Sequence, residues 1–242
     1  LLIIKNLSVK IADKLVINQL NLEIKPGNCA ILMGPNGSGK SSLAKTLMGH
    51  PDYEIISGEI FFKDQNITKL LVHERAKLGL FLAFQQPKSI AGLQVFNFLK
   101  TIYEAYTGQT LAVPEFENLI FQKLELVGLD RSFIYREVNT GFSGGEKKRF
   151  EILQFLLLQP DFAIIDEIDS GLDVDALKLI SQALLIAKTQ QPSLTILLIT
   201  HYNRILNFLQ PDRVHIMQHG QLTKSGDMAL AKQIEINGYE GL

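Results

Sequence analysis

Apolar and polar positions alternate or cluster over Leu2 to Val9 and Lys14 to Ile24, as in the strands of a small antiparallel sheet. Pro26-Gly27 then turns the chain into an unbroken apolar run, Cys29 to Met33, the pattern of a strand buried on both faces. Ser42 to Leu47 reads as the first turns of a helix, and Gly49 to Asp52 as a loop. Glu59 to Phe62 predicts a strand, Lys63 to Asn66 a polar turn, Leu70 to Lys77 a helix and Leu80 to Phe84 a second buried strand. After Gln85 the period changes. From about Pro87 to Thr140 there is no convincing strand, and Val95 to Tyr106 and Phe116 to Val127 carry apolar residues at helical spacing. Phe150 to Leu158 continues as an apolar helix that Pro160 closes, so about 87–160 reads as an inserted helical subdomain. Alternation then returns through Phe162 to Ile165, Val174 to Lys188, Leu194 to Thr200, Arg204 to Leu209 and Val214 to Met217. This order predicts one α/β domain over 1–242, with a mostly parallel sheet covered by helices. No internal repeat or low-complexity linker interrupts it.

Composition adds limits. The 242 residues are 46% hydrophobic, enough for a buried core, and no apolar run reaches membrane-spanning length. A formal net charge of -1 gives no support for nucleic-acid or membrane-surface binding by bulk electrostatics. The lone Cys29 excludes an internal disulfide, suits a reducing compartment and reads as packing within its strand. Abundant Ile, Leu, Asn, Gln and Lys fits an A+T-rich bacterial or organelle gene, hence cytoplasm or plastid stroma. The start at Leu1 leaves room for a targeting segment ahead of it.

Three segments carry chemistry. Gly34-Pro35-Asn36-Gly37-Ser38-Gly39-Lys40-Ser41 matches G-x-x-x-x-G-K-[ST], placed between a buried strand and a helix that continues through Ser42. Its glycines let backbone N–H groups converge on phosphate oxygens, Lys40 suits the outer phosphates, and Ser41 offers a hydroxyl to Mg²⁺. The chain is therefore expected to bind a nucleoside triphosphate. Phe162 to Ile165 ends abruptly in Asp166 and Glu167, at the carboxyl end of a strand where parallel sheets gather ligands. Asp166 is placed to hold Mg²⁺ and Glu167 to polarise an attacking water. Ser143 reads as an N-cap followed by Gly144, Gly145 and the cations Lys147, Lys148 and Arg149. Cations there oppose the helix dipole; taken alone, the segment suits an anion approached from outside the chain and a capped helix with solvated lysines equally well.

Together these segments resemble the ATP-binding cassette (ABC) ATPases over essentially the whole chain. GPNGSGKS looks like Walker A, Gln85 like the Q-loop glutamine, FSGGE like a variant signature and AIIDE like Walker B. Ser170-Gly171-Leu172-Asp173 looks like the D-loop, and His201 like the switch histidine. The resemblance implies an ABC-type nucleotide-binding domain using ATP and Mg²⁺, with a P-loop core, a small antiparallel β subdomain and the helical insertion. It implies a transient head-to-tail dimer in which ATP lies between Walker A of one copy and the signature of the other. Gln85 would then touch Mg²⁺ or water, His201 the γ-phosphate, and Asp173 would communicate across the dimer.

Further strings are similar to the SufC family, the ATPases of the Suf iron–sulfur cluster assembly system: GFSGGEKKR, SGLDVDALK, Thr200 to Leu206, Val214-His215, Lys224 to Asp227 and Asn237 to Tyr239. The proline–threonine pair common after Walker B in transporters is also missing at Ile168-Asp169. This narrower resemblance implies SufB- and SufD-like scaffold partners and no direct membrane insertion. The face with Pro87, Ile90 and Leu93 to Phe98 suits scaffold docking and suits a subdomain core equally well. Two alternatives stand beside it: the ATPase of an ABC membrane transporter, and a non-hydrolysing ATP-dependent clamp. Two departures from the family pattern matter. No aromatic residue lies between Leu1 and Ile24, so Ile11 or Val16 is expected to contact the base. Glu146 replaces the signature glutamine, and its charge is expected to weaken ATP-driven closure if it lies near phosphate.

Overall fold

The N-terminal alternation becomes a four-stranded antiparallel sheet in a computed structural model, which describes residues 1–200 and 204–239 apart from the side chain at 207. Its strands are β1 (Leu2–Ile11), β2 (Lys14–Ile24), β4 (Tyr53–Phe62) and β5 (Gln65–Asn66), in the order β2-β1-β4-β5. The strand read from Glu59 in fact begins at Tyr53. A register shift between Lys5 and Ser8, opposite Gly58, breaks the two-residue period and hides its first half.

The second sheet has six strands. Its parallel members are β3 (Cys29–Met33), β6 (Leu80–Ala83), β7 (Phe162–Asp166), β8 (Thr195–Ile199) and β9 (Arg213–Gln218). β10 (Gln221–Gly226) closes it as an antiparallel hairpin in the order β10-β9-β3-β8-β7-β6. Strict alternation explains why the central strands read as solid apolar runs. Cys29, Ile31 and Met33 pack toward the helices, while Ala30 and Leu32 pack toward the antiparallel sheet. In β7, Ala163 and Ile165 take the helical side, and Phe162 and Ile164 the other. Two hydrophobic cores therefore sandwich one sheet.

Between residues 87 and 160 lie α3 (Val95–Thr107), α4 (Val113–Leu126) and α5 (Gly144–Leu158), and no named strand. Phe133, Phe142 and Phe150 stack with ring centroids 4.5–5.9 Å apart and tie the start of α5 to the preceding loop. Helix α6 (Val174–Gln190) follows β7. Arg204 to Leu209 holds only a short 3-10 turn, Ile205–Asn207. A final helix, α7 (Met228–Asn237), begins at Asp227, whose carboxylate accepts the Ala229 N–H at 2.9 Å.

Two buried charged groups matter for the site. Helix α1 (Lys40–Leu47) ends against Arg75 of α2 (Val72–Lys77), whose guanidinium donates to the carbonyls of Thr46, Leu47, Leu70 and Thr68 at 2.8–3.0 Å. Burial pulls Arg75 down to about 10, and its bonds to the Thr46 and Leu47 carbonyls anchor the last turn of the phosphate-loop helix. On α5, Glu151 accepts from the Phe84 N–H at 3.0 Å and from Gln154 at 3.2 Å, and burial pushes its carboxyl up to about 7. The unfolded chain ionises this group near 4.5, so between pH 4.5 and 7 the folded state binds the extra proton and folding weakens as pH rises. Relative to Glu151→Gln, wild-type stability is expected to drop by about 2–3 kcal/mol between pH 5 and 7.5 and then level off. Urea titrations across that range test this; parallel pH curves for the two proteins would contradict it.

Candidate active site

The phosphate loop is folded for close approach. Gly34 has φ +155, and a Cβ there would lie 2.1 Å from the Met217 carbonyl oxygen, so a side chain cannot enter. Lys40, 4% exposed, donates from Nζ to the carbonyls of Gly34 at 2.9 Å and Pro35 at 3.0 Å. Burial lowers its pKa, opposed by Glu167 and Asp166. The Ser38 hydroxyl is buried within the loop without a hydrogen-bond partner among the described residues.

Opposite the loop, β7 delivers its two carboxylates. Asp166 Oδ1 accepts from the Ser41 hydroxyl at 3.3 Å. Burial raises the Asp166 pKa; that hydrogen bond pulls it back. Glu167 has a left-handed backbone, φ +49, uncommon for a residue with a Cβ. Its backbone is held on both sides: its N–H donates to Ile199 O at 2.9 Å, and its carbonyl accepts from Lys148 Nζ at 3.0 Å. Its side chain accepts a short hydrogen bond from Gln85 Nε2.

These groups meet at an open cleft of about 770 Å³. Asn36, Gly37, Gly39, Lys40, Ser41 and Ser42 line it, with Gln85 and Glu167 across from them. Gly34, Pro35, Ser38 and Asp166 belong to the supporting wall and do not line the cleft. Ser143, Gly144, Gly145 and Asp173 are not brought to it within one chain. Ser143 and Asp173 serve instead as N-caps of α5 and α6, accepting from the N–H groups of Glu146 at 3.1 Å and Ala176 at 2.7 Å. His201 lies outside the described residues.

Beside Val16, the cleft is also lined by Lys14, Leu15, His219 and Gly220, which sequence reasoning missed. Val16 stands there as expected; Ile11 does not line it. No motif marks these positions, which two hairpins far apart in sequence bring together.

The cations after the signature need a corrected reading. Lys148 is buried and donates to Glu167 O and Ser170 Oγ (2.9 Å), which ties α5 to the turn after β7. Arg149 donates to Gly128 O at 2.8 Å. Two of the three cations are thus internal ties. Glu146 also differs from expectation: it accepts the Ser143 N–H at 2.7 Å in a capping box and pairs with Arg136. The Arg136 hydrogen bond holds its carboxyl below the ordinary value, so its charge is already met.

The donor set fits a hard divalent cation. A hydroxyl and a carboxylate 3.3 Å apart, with the Gln85 amide across the cleft, offer oxygen ligands and leave the remaining positions to phosphate and water. Among the described residues no group of three or more His, Cys, Asp or Glu forms a closed metal site, and no helix is long and apolar enough to cross a membrane.

Comparison with known proteins identifies the family. The ABC transporter family model matches residues 17–170. A probable ATP-dependent transporter of Synechocystis is 46% identical, over 100% of this chain and 95% of its own length. The probable ATP-dependent transporter ycf16 of Cyanophora paradoxa is 45% identical over 99% of this chain and 93% of its own. A probable ABC transporter ATP-binding protein of Streptococcus pyogenes is 44% identical over 99% of this chain and 93% of its own. Among solved structures, the dimeric ABC transporter cassette MJ0796 superposes with a TM-score of 0.82 at 21% identity, covering 94% of this chain and 99% of that one. With the family match spanning both the phosphate loop and the β7 carboxylates, the chain belongs to the ABC transporter family and is an ABC-type ATPase that binds and hydrolyses ATP.

Proposed function

We propose that this ATPase is a SufC-type motor subunit that drives conformational change in a SufB/SufD-like scaffold during iron–sulfur cluster assembly. The observation that carries the reading is the start of α5. Glu146, the residue that separates the SufC-like signature from the transporter glutamine, is built into the fold by its capping box and by Arg136. The whole chain, 1–242, acts as one cassette, with 87–160 as the helical arm that meets the partner.

In this reading the phosphate loop's N–H groups hold the ATP phosphates, and Lys40 turns from the Gly34 and Pro35 carbonyls to the outer phosphates. Ser41, Asp166 and Gln85 would hold Mg²⁺, which neutralises charge on the phosphate oxygens when bound. Glu167 accepts a proton from water as the water oxygen attacks the γ-phosphorus; the bond to the bridging oxygen breaks and ADP carries away that electron pair. His201 contacts the γ-phosphate. A second copy, head to tail, brings its Ser143, Gly144 and Gly145 over the phosphates, and Asp173 signals between copies. The fold favours such an arrangement because those groups are absent from the cleft of their own chain. MJ0796 has been solved as a dimer bound to ADP and phosphate.

Scaffold docking fits a groove of about 440 Å³ next to Gln85. Phe84 and Ile90 stand 46% and 41% exposed on its wall with Pro87 and Phe98, whereas Val95 is fully buried and serves the core. The compartment is the cytoplasm, or the plastid stroma for an organelle-encoded chain. The names of the relatives favour a second reading, the ATPase subunit of a membrane transporter. Mild anaerobic co-purification from the native source separates the two. Scaffold proteins without membrane spans are expected; recovery of polytopic membrane proteins would replace the Suf reading with the transporter one.

A further inference from the structure

The strands β9 and β10 are joined by a two-residue turn, His219-Gly220, with φ +49 and +79. Positive φ at both positions is the type I′ hairpin turn, where Asn, Asp or Gly ordinarily comes first. A histidine is a less usual occupant of that first position. The turn is also fixed against the nucleotide site. The Gly220 N–H donates to Ser38 O in the phosphate loop, and Gly220 O accepts from the Asn18 N–H of β2, both at 2.9 Å. A Cβ on Gly220 would lie 2.8 Å from Val16 O, so the hairpin tip, β2 and the phosphate loop are in direct contact. From this tip the exposed His219 side chain lines the cleft. Among the described residues its imidazole has no hydrogen bond, ion pair or ring contact.

Lys40, Ser41, Gln85 and Glu167 mark the phosphate end of the cleft. What remains for a base is the end formed by Lys14, Leu15, Val16 and the His219 turn, and among the described residues the one ring there is the imidazole. We propose that His219 is a base-recognition residue that stacks on the nucleobase of the bound nucleoside triphosphate and supplies the aromatic surface missing between Leu1 and Ile24. This rests on reading the cleft as the ATP site. Stacking depends on the flat face of a base, so one imidazole serves adenine and guanine alike. The apolar contacts of Leu15 and Val16 discriminate just as little. The result is a site that holds purine triphosphates with loose base selectivity and gains affinity from the presence of a base.

The test is equilibrium binding of ATP, GTP and inorganic tripolyphosphate, each with Mg²⁺, to the full chain and to His219→Asn. Asparagine suits the turn, so the hairpin and its bond to Ser38 are kept. ATP and GTP are each expected to weaken about tenfold, with tripolyphosphate within twofold of wild type. Unchanged ATP and GTP affinity would overturn the proposal. So would an equal loss for ATP and tripolyphosphate, which would mean that His219 acts through the phosphate loop. If the cleft were not the triphosphate site, His219→Asn and Lys40→Ala would both leave ATP and tripolyphosphate affinity unchanged, which overturns the cleft reading itself.

Discussion

Glu167→Gln is expected to lower ATP turnover about a thousandfold while changing ATP affinity less than threefold, in line with the usual worth of a general base. The substitution is nearly isosteric, and an amide keeps the hydrogen-bonding reach of the side chain toward Gln85. What it removes is the oxygen that can accept a proton. The backbone at this position has reasons of its own to stay in place: the Ile199 carbonyl and Lys148 hold it from opposite sides at 2.9 and 3.0 Å. A left-handed residue fixed this firmly keeps its carboxylate at one point of the cleft wall, as a water-activating group must be. Turnover under saturating ATP, paired with equilibrium binding, reads the two effects separately. A variant that retained wild-type turnover would remove Glu167 from the proton-accepting role. One that lost binding in proportion to turnover would make it a structural support of the loop.

How much of this was legible depended on whether a residue's partner was local. The phosphate loop was readable because its geometry is set by its own glycines and by Lys40 folding back on Gly34 and Pro35, six and five positions away. The β7 carboxylates were readable because an apolar strand ending in charge has few other meanings in a parallel sheet. The cations after Ser143 were read as unsatisfied because their partners, Gly128, Glu167 and Ser170, lie about twenty residues off and no pattern announces them. The pairing of Glu146 with Arg136 was equally hidden, because Arg136 approaches it across a turn that the phenylalanine cluster organises, whereas its capping box with Ser143 is local. In the fold, the bulge near Gly58 erased the period of early β4, whereas the unbroken runs of β3 and β7 survived because both of their faces are buried. The face after Gln85 was divided only by three-dimensional packing, with Val95 inside and Ile90 outside.

Lys40→Ala carries the second large effect, on binding itself. The ammonium sits 4% exposed with two carbonyl oxygens as its neighbours, and burial already disfavours its charge. A triphosphate offers it several anionic oxygens in place of two neutral carbonyls, so the exchange favours the bound state. Losing one charge-assisted contact of this kind costs about 1.5–3 kcal/mol, roughly a hundredfold in ATP affinity. The folded chain itself loses the two carbonyl contacts and the attraction of Glu167 and Asp166 but is relieved of a buried charge, so its unfolding midpoint is expected to move by about 3 °C or less. Tripolyphosphate is the informative ligand here. It should lose affinity as severely as ATP, because the missing contact is at the phosphate end of the cleft, whereas His219→Asn should spare it. Calorimetric titration of both ligands into both variants therefore divides the binding energy between the two ends of the site. Unchanged ATP affinity in Lys40→Ala would show that the backbone N–H groups alone hold the phosphates, and that the buried lysine serves the loop's own fold.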